Sequence, residues 1–328
     1  MAAVGAILML LSTASCGGDS EGERAVRATT STTASTTVAP VVKTSPAATE
    51  LCARAVATPD PPVVASVELR EISGVAASRQ HPGLLWAHND SGSAAELHLV
   101  GPDGSDLGAW PFLRTLALDW EDIALGPGPG GAEHLYVGDI GDNLTFRPVV
   151  RVHRVREPAD TGSPVPLEVD TFVFSYPDGP HDAESLFVDP IGGQIHVVTK
   201  AADGSAPGLY RSPASAAPGD TIELERAGAL AVPGPAGGPG GEQSVPIATA
   251  ASISPDGTVV AVRTLDDVLL WDRDPSESVA DALTRPPCVA PSADEKQGEA
   301  VDLLPDGTGY VTISEGTNPA INHFVIAD

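Results

Sequence analysis

The chain has 328 residues, 42% of them apolar, enough for one large domain or two medium ones with a filled core. Its 34 glycines and 31 prolines disfavour a helical protein, because glycine costs backbone entropy and proline removes a donor. With 44 acidic against 18 basic side chains, a net charge of −26 and no basic stripe, nucleic acid is excluded as a partner.

Residues 1–16 read as a signal peptide: AAVGAILMLL is apolar but too short to span a bilayer, and a polar run follows at once. Within it, TASC resembles a bacterial lipobox, which makes Cys16 the lipidated residue. Thr13 departs from the usual leucine there. Residues 17–62 are expected to be a disordered stalk, since ATTSTTASTTVAPVVKTSPAATE carries almost no large apolar side chain. The expected location is extracytoplasmic, anchored by lipid to the outer face of the cell membrane. With Cys16 assigned to the lipid, Cys52 and Cys288 remain as a disulfide in an oxidising compartment.

From residue 63 to 328 one pattern recurs five times. A short apolar strand ends in a turn in SGVAASRQHPG from Ser73, EDIALGPGPGG from Glu121, ESLFVDPIGG from Glu184, TAASISPDG from Thr249 and EAVDLLPDG from Glu299. Second strands follow as LLWAHND, HLYVGDI, IHVVTK, VVAVRT and GYVTIS, and third strands as ELHLVGP, VVRVHRV, GLYRS, VLLWDR and NHFVIA. Fourth strands are visible as FLRTLAL, DTFVFSY and DTIELERA and are faint elsewhere. Four antiparallel strands per unit of about 50 to 65 residues predict an all-β fold, a β-propeller of five four-stranded blades. Six blades is the alternative if the long 184–249 unit hides another. The last unit has three strands, and VASVELR at 64–70 is the expected N-terminal strand that closes the ring. A monomer is expected.

In such a ring the start of each first strand and the end of each second strand share one face. Glu121, Glu184 and Glu299 therefore form a column expected at the channel mouth, joined by Asp90, Asp139 and Asp142 from second-strand ends. Several carboxylates held close together do not all ionise unless a cation joins them, and calcium is the hard cation expected outside the cell. Asp and Asn also cap turns through local backbone bonds, so a structural role for the column stays open beside the metal role. Lys200 and Arg263, at the ends of the same strands, are candidate binding groups for an anionic ligand, and His88, beside Asn89 and Asp90, is the candidate general base. No nucleophile elbow, zinc helix, paired C-x-x-C or helix-loop-helix calcium loop occurs.

The runs SGVAAS, LLWAHNDSG, DWEDIA and LYVGDIGDN resemble a set of secreted bacterial β-propellers of largely unknown function, and more distantly the phytase-like and gluconolactonase-like propellers. The resemblance implies calcium ligands at Glu121, Glu184 and Glu299 by column position. Ser73 and Thr249 replace acid in two blades, and the basic cluster of a phytate site is missing. Two functions follow. The first is a surface-tethered module that binds a small molecule, glycan or protein through its acidic mouth. The alternative is a calcium-dependent hydrolase of phosphate esters, lactones or sugars, which requires Lys200, Arg263 and His88 to face the pocket of the glutamate column.

Overall fold

The computed structural model describes residues 45–233 and 247–327. The signal peptide at 1–16 with Cys16, and stalk residues 17–44, lie outside the described residues. The described chain opens with helix α1 (Ala48–Arg54) and strand β1 (Ala55–Ala57).

Blade 1 comprises β2 (Ile72–Ala77), β3 (Leu85–Asn89), β4 (Glu96–Val100) and β5 (Asp106–Pro111). Blade 2 holds β6 (Trp120–Pro127), β7 (Glu133–Asp139), β8 (Val150–Arg156) and β9 (Asp170–Ser175). Blade 3 begins with β10 (Ala183–Val188), β11 (Ile195–Thr199) and β12 (Gly208–Arg211). The chain then returns to blade 2 as β13 (Thr221–Glu223), parallel to β9, before β14 (Glu225–Ala229) completes blade 3. Leu224, between the two strands, is buried, so this segment clasps neighbouring blades. Blade 4 is β15 (Ala248–Ile253), β16 (Val259–Thr264), β17 (Val268–Asp272) and β18 (Cys288–Ala290), with helix α2 (Val279–Leu283) before β18. Blade 5 is β19 (Gly298–Leu303), β20 (Gly309–Ser314), β21 (Ile321–Ile326) and β1.

The first strands β2, β6, β10, β15 and β19 each touch the next, and β19 returns to β2, which makes a closed five-bladed β-propeller. Five apolar layers fill the spaces between successive blades. Ala250 packs toward blade 5 and Ala251 toward blade 3, because side chains alternate along a strand. Both strand faces are thus buried, which accounts for the continuous apolar runs in the sequence. The SPDG and LPDG turns hold Gly257 and Gly307 at φ 72°, a conformation open to glycine.

Three elements differ from the sequence reading. The ring is closed by β1, paired to β21 with Ala55 opposite Ile326, and not by residues 64–70. That stretch crosses from blade 5 to blade 1 through single bridges, Val63 to Ala320 and Ala65 to Ser105. The Ser66 hydroxyl then takes the Glu68 and Leu69 amides into a local turn, which competes with a strand ladder. The folded part also begins before residue 63, since α1 buries Ala48 and Leu51 against the layer between blades 4 and 5. Finally, FLRTLAL is a connection, and the outer strand of blade 1 is DLGAWP, with Trp110 opposite Leu97.

Cys52 and Cys288 form a disulfide that joins α1 to the outer strand of blade 4. Since β1 belongs to blade 5, the bridge straddles the junction of these two blades.

The centre of the ring is held by two carboxylates, the buried Asp122 and the half-buried Asp302. Asp122 accepts the amides of Ile123, Leu186 and Ala251, and Asp302 accepts the amide of Ala77 and the hydroxyl of Ser252.

Candidate functional site

Each first strand carries the same irregularity at its start. The register slips between Ile72 and Gly74, Trp120 and Asp122, Ala183 and Ser185, Ala248 and Ala250, and Gly298 and Ala300. The skipped residues are Ser73, Glu121, Glu184, Thr249 and Glu299. A bulge leaves one residue unpaired and re-aims its side chain, so the backbone repeats five times the device that sets this column apart.

The structure places Glu121, Glu184, Glu299, Asp90 and Lys200 around one cavity of 480 Å³ at the mouth. Lys200 Nζ contacts the Glu184 carboxylate and lies 3.9 Å from Asp182. Glu121 accepts a long bond from the Ser73 hydroxyl, 3.4 Å, and Glu299 accepts the Gln297 amide at 2.6 Å.

Three carboxylates form the tightest group. One oxygen each from Asp90, Asp119 and Glu121 lies within 4.8 Å of the others. That span is about twice a calcium–oxygen bond of ~2.4 Å, so a single hard cation can reach all three. Gly141 closes the group from the side, and a Cβ there would run into Glu121 and Asp119.

The electrostatics follow from this crowding. Burial, then the nearby charges of Glu184, Asp90 and Asp119, push Glu121 up to about 10. Burial raises Glu299 to about 8 with help from Glu184. Glu184 is raised by burial to about 7, against the pull of Lys200. Asp119 is raised by burial and by Asp90. Burial works against the charge on Lys200, but Glu184, Asp182 and Glu121 outweigh it and raise its pKa. Without a cation the mouth therefore holds protons at neutral pH.

Other candidates lie elsewhere. Asp139 is fully buried and binds Arg147 at 2.6 Å, and Asp142 caps its own loop by accepting the Phe146 and Arg147 amides. Neither joins the carboxylate group. His88 is a core residue, with Nδ1 on the Asn89 carbonyl at 2.9 Å and its ring edge-on to Trp120, and burial lowers its pKa to about 4. Arg263 is 1% exposed and neutralised by Glu295, which also holds Thr312 and Asn322. Of the three groups a hydrolase required at the mouth, only Lys200 lines the cavity.

Asp119 is the functional candidate that sequence reasoning missed. The available signal was its i, i+2 spacing to Glu121, which puts two side chains on one side of an extended segment.

No protein-family model and no curated protein sequence matches the chain. Among solved structures, the chain is similar to the nidogen/laminin complex at TM-score 0.45 and 10% identity, over 76% of this chain and 74% of that one. It is similar to a glucose dehydrogenase at 0.45 and 10%, over 80% and 98%. A calcium-binding regucalcin from Agrobacterium tumefaciens strain C58 gives 0.43 and 10%, over 81% and 92%. Likenesses this low carry no function across, and the propeller class rests on the ring of blades. The chain is a distant, five-bladed β-propeller with an acidic channel mouth.

Proposed function

We propose that this propeller is a lipid-anchored, extracytoplasmic binding module that holds a calcium ion between Asp90, Asp119 and Glu121 and uses it to capture a ligand or partner at the mouth. The observation that carries this reading is the spacing of the three carboxylate oxygens. Oxygen ligands of high negative charge suit a hard divalent cation, and the ion's charge removes the repulsion that otherwise keeps Glu121 protonated. Lys200 and Lys296 also line the cavity, and with the cation they suit a small molecule, glycan or protein surface that presents oxygen donors. The anchor rests on the TASC motif and Cys16, and a Cys16→Ser variant is expected to leave the membrane fraction. The hydrolase alternative is not favoured, because His88 and Arg263 stand outside the cavity.

Calorimetric titration of the full chain with calcium tests the cation. Binding near 10⁻⁴ M, an affinity of about the order seen in extracellular modules, is expected together with proton release. Proton release appears as a different heat in Tris and in HEPES. An Asp119→Asn variant should abolish both signals; unchanged binding in that variant would remove the site from the mouth.

A further inference from the structure

A second cavity, of 290 Å³, lies beside the connection between β5 and β6, away from the glutamate column. It is lined by Arg114, Arg151, Leu116, Leu118, Asp139 and His153. Four of the thirteen described arginines, Arg70, Arg114, Arg151 and Arg156, lack a carboxylate partner among the described residues, and two of the four meet here, although the chain carries a net charge of −26. Arg114 also sits at φ 57°, a backbone conformation that costs a residue with a Cβ about 1–2 kcal/mol.

Two further groups are left unmatched on the cavity wall. Asp139 Oδ2 and His153 Nε2 are buried, have no hydrogen-bond partner, and stand 3.9 Å apart, too far to bond each other. A buried polar atom without a partner costs about 1–3 kcal/mol. The other atoms of both residues are occupied: Asp139 Oδ1 binds Arg147, and His153 Nδ1 faces the Thr171 hydroxyl at 3.0 Å. With that hydroxyl donating to Nδ1, the ring carries its hydrogen on Nε2. A donor and an acceptor at this separation are both satisfied by one hydroxyl group, its oxygen about 2.8 Å from each.

We propose that this cavity binds a short hydroxylated carboxylic acid, with carboxylate groups on Arg114 and Arg151, the hydroxyl between Asp139 Oδ2 and His153 Nε2, and the carbon chain against Leu116 and Leu118. Guanidinium groups match carboxylates through a planar fork, which suits them to this role. The site shares no lining residue with the mouth cavity, although Asp139 accepts the Asp119 amide at 3.3 Å.

L-Malate is the probe and succinate, its analogue without the hydroxyl, the control. Titrations of the full chain are run in excess EDTA, so that malate cannot act by chelating a cation at the mouth. Malate is expected to bind at least about tenfold more tightly than succinate, because unpaired buried groups penalise a ligand lacking the hydroxyl. An Arg114→Ala/Arg151→Ala variant, changed at an exposed and a half-buried position whose side chains make no ion pair among the described residues, should lose at least about tenfold in malate affinity. The far-UV spectrum and the calcium response of that variant should be unchanged. Equal affinity for malate and succinate, no malate binding at about 10 mM, or full malate binding by the arginine variant would each overturn the assignment.

Discussion

Asp122 Oδ2 accepts the Ala251 amide at 2.9 Å across 129 residues of sequence and the Leu186 amide at 2.7 Å, so one carboxylate of blade 2 fixes the first strands of blades 3 and 4. Asp302 of blade 5 does the same for blades 1 and 4 through Ala77 and Ser252. Between them the two side chains tie all five blades at the axis. They also supply acceptors for first-strand amides that face the channel, where no neighbouring strand can pair them.

Asp122→Ala should therefore destabilise the ring severely. Three amides lose their acceptor in a buried setting, at about 1–3 kcal/mol each, so a loss of roughly 3–5 kcal/mol is expected after partial relaxation. Urea unfolding is the measurement. The midpoint should fall while the slope of free energy against urea stays constant; a shift below about 1 kcal/mol would mean that the axis is not held this way.

The contrast between what could be read in the residues and what could not is physical. Turn chemistry such as SPDG and LPDG, and apolar runs of fixed spacing, are local properties of residue types, so the blades and the glutamate column were visible in the sequence. The bulges were not, because a slipped register is a property of two paired strands. FLRTLAL has the leucines of a strand, yet Leu113, Leu116 and Leu118 are exposed, and the pairing is taken by DLGAWP, whose glycine and proline weaken its pattern. The Ala- and Thr-rich composition before residue 55 hid α1, whose stability comes from packing against blades 4 and 5 and from Cys52.

Stability should fall as pH rises from 7 to 9 in the absence of a divalent cation. Glu299, near 8, and Glu121, near 10, hold protons in the folded state that the unfolded chain, with its carboxyls at 4.5, has already released. The folded state binds more protons, so unfolding free energy declines with pH, by roughly 2 kcal/mol per pH unit. His88 and His196, both lowered to about 4 by burial, are neutral when folded and largely neutral when unfolded over this range, so they contribute little. Scanning calorimetry should show a falling Tm whose slope becomes shallower in millimolar-range calcium, since the ion replaces the Glu121 proton while Glu299, outside the trio, still titrates. A Tm independent of pH without calcium would contradict the crowded mouth.

Glu121→Gln should separate stability from binding. A neutral isostere keeps the side-chain volume and needs no proton on folding, whereas Glu121 must take back a proton that the unfolded chain has released above 4.5, so the variant should be more stable than the parent at pH 7 and by a wider margin at pH 9. It should lose at least about tenfold in calcium affinity, because a carboxylate ligand is gone. A variant with lower stability and intact calcium binding would reverse the roles assigned to this residue. Gly141→Ala offers an independent check, since its methyl group would enter the space between Glu121 and Asp119 without altering any charge.

The disulfide should contribute more than its position near the start of the fold suggests. It links residues 236 apart in sequence, and closing a loop of that length removes unfolded-state entropy equivalent to about 5 kcal/mol as an upper figure. The bridge also holds α1 on blade 4 while β1, directly after it, supplies the outer strand of blade 5. Loss of the bridge frees α1 first, and β1, with three residues paired to β21 and one further bond from the Thr58 amide to the His323 carbonyl, is a short strand to hold alone. Cys52→Ser should thus lower stability by about 2–5 kcal/mol and expose the edge of β21 to hydrogen exchange before the rest of blade 5. Reductant should reproduce the effect in the parent and add nothing in the variant. If amides of β21 remain as protected as those of β20 after reduction, the ring closes without help from the bridge.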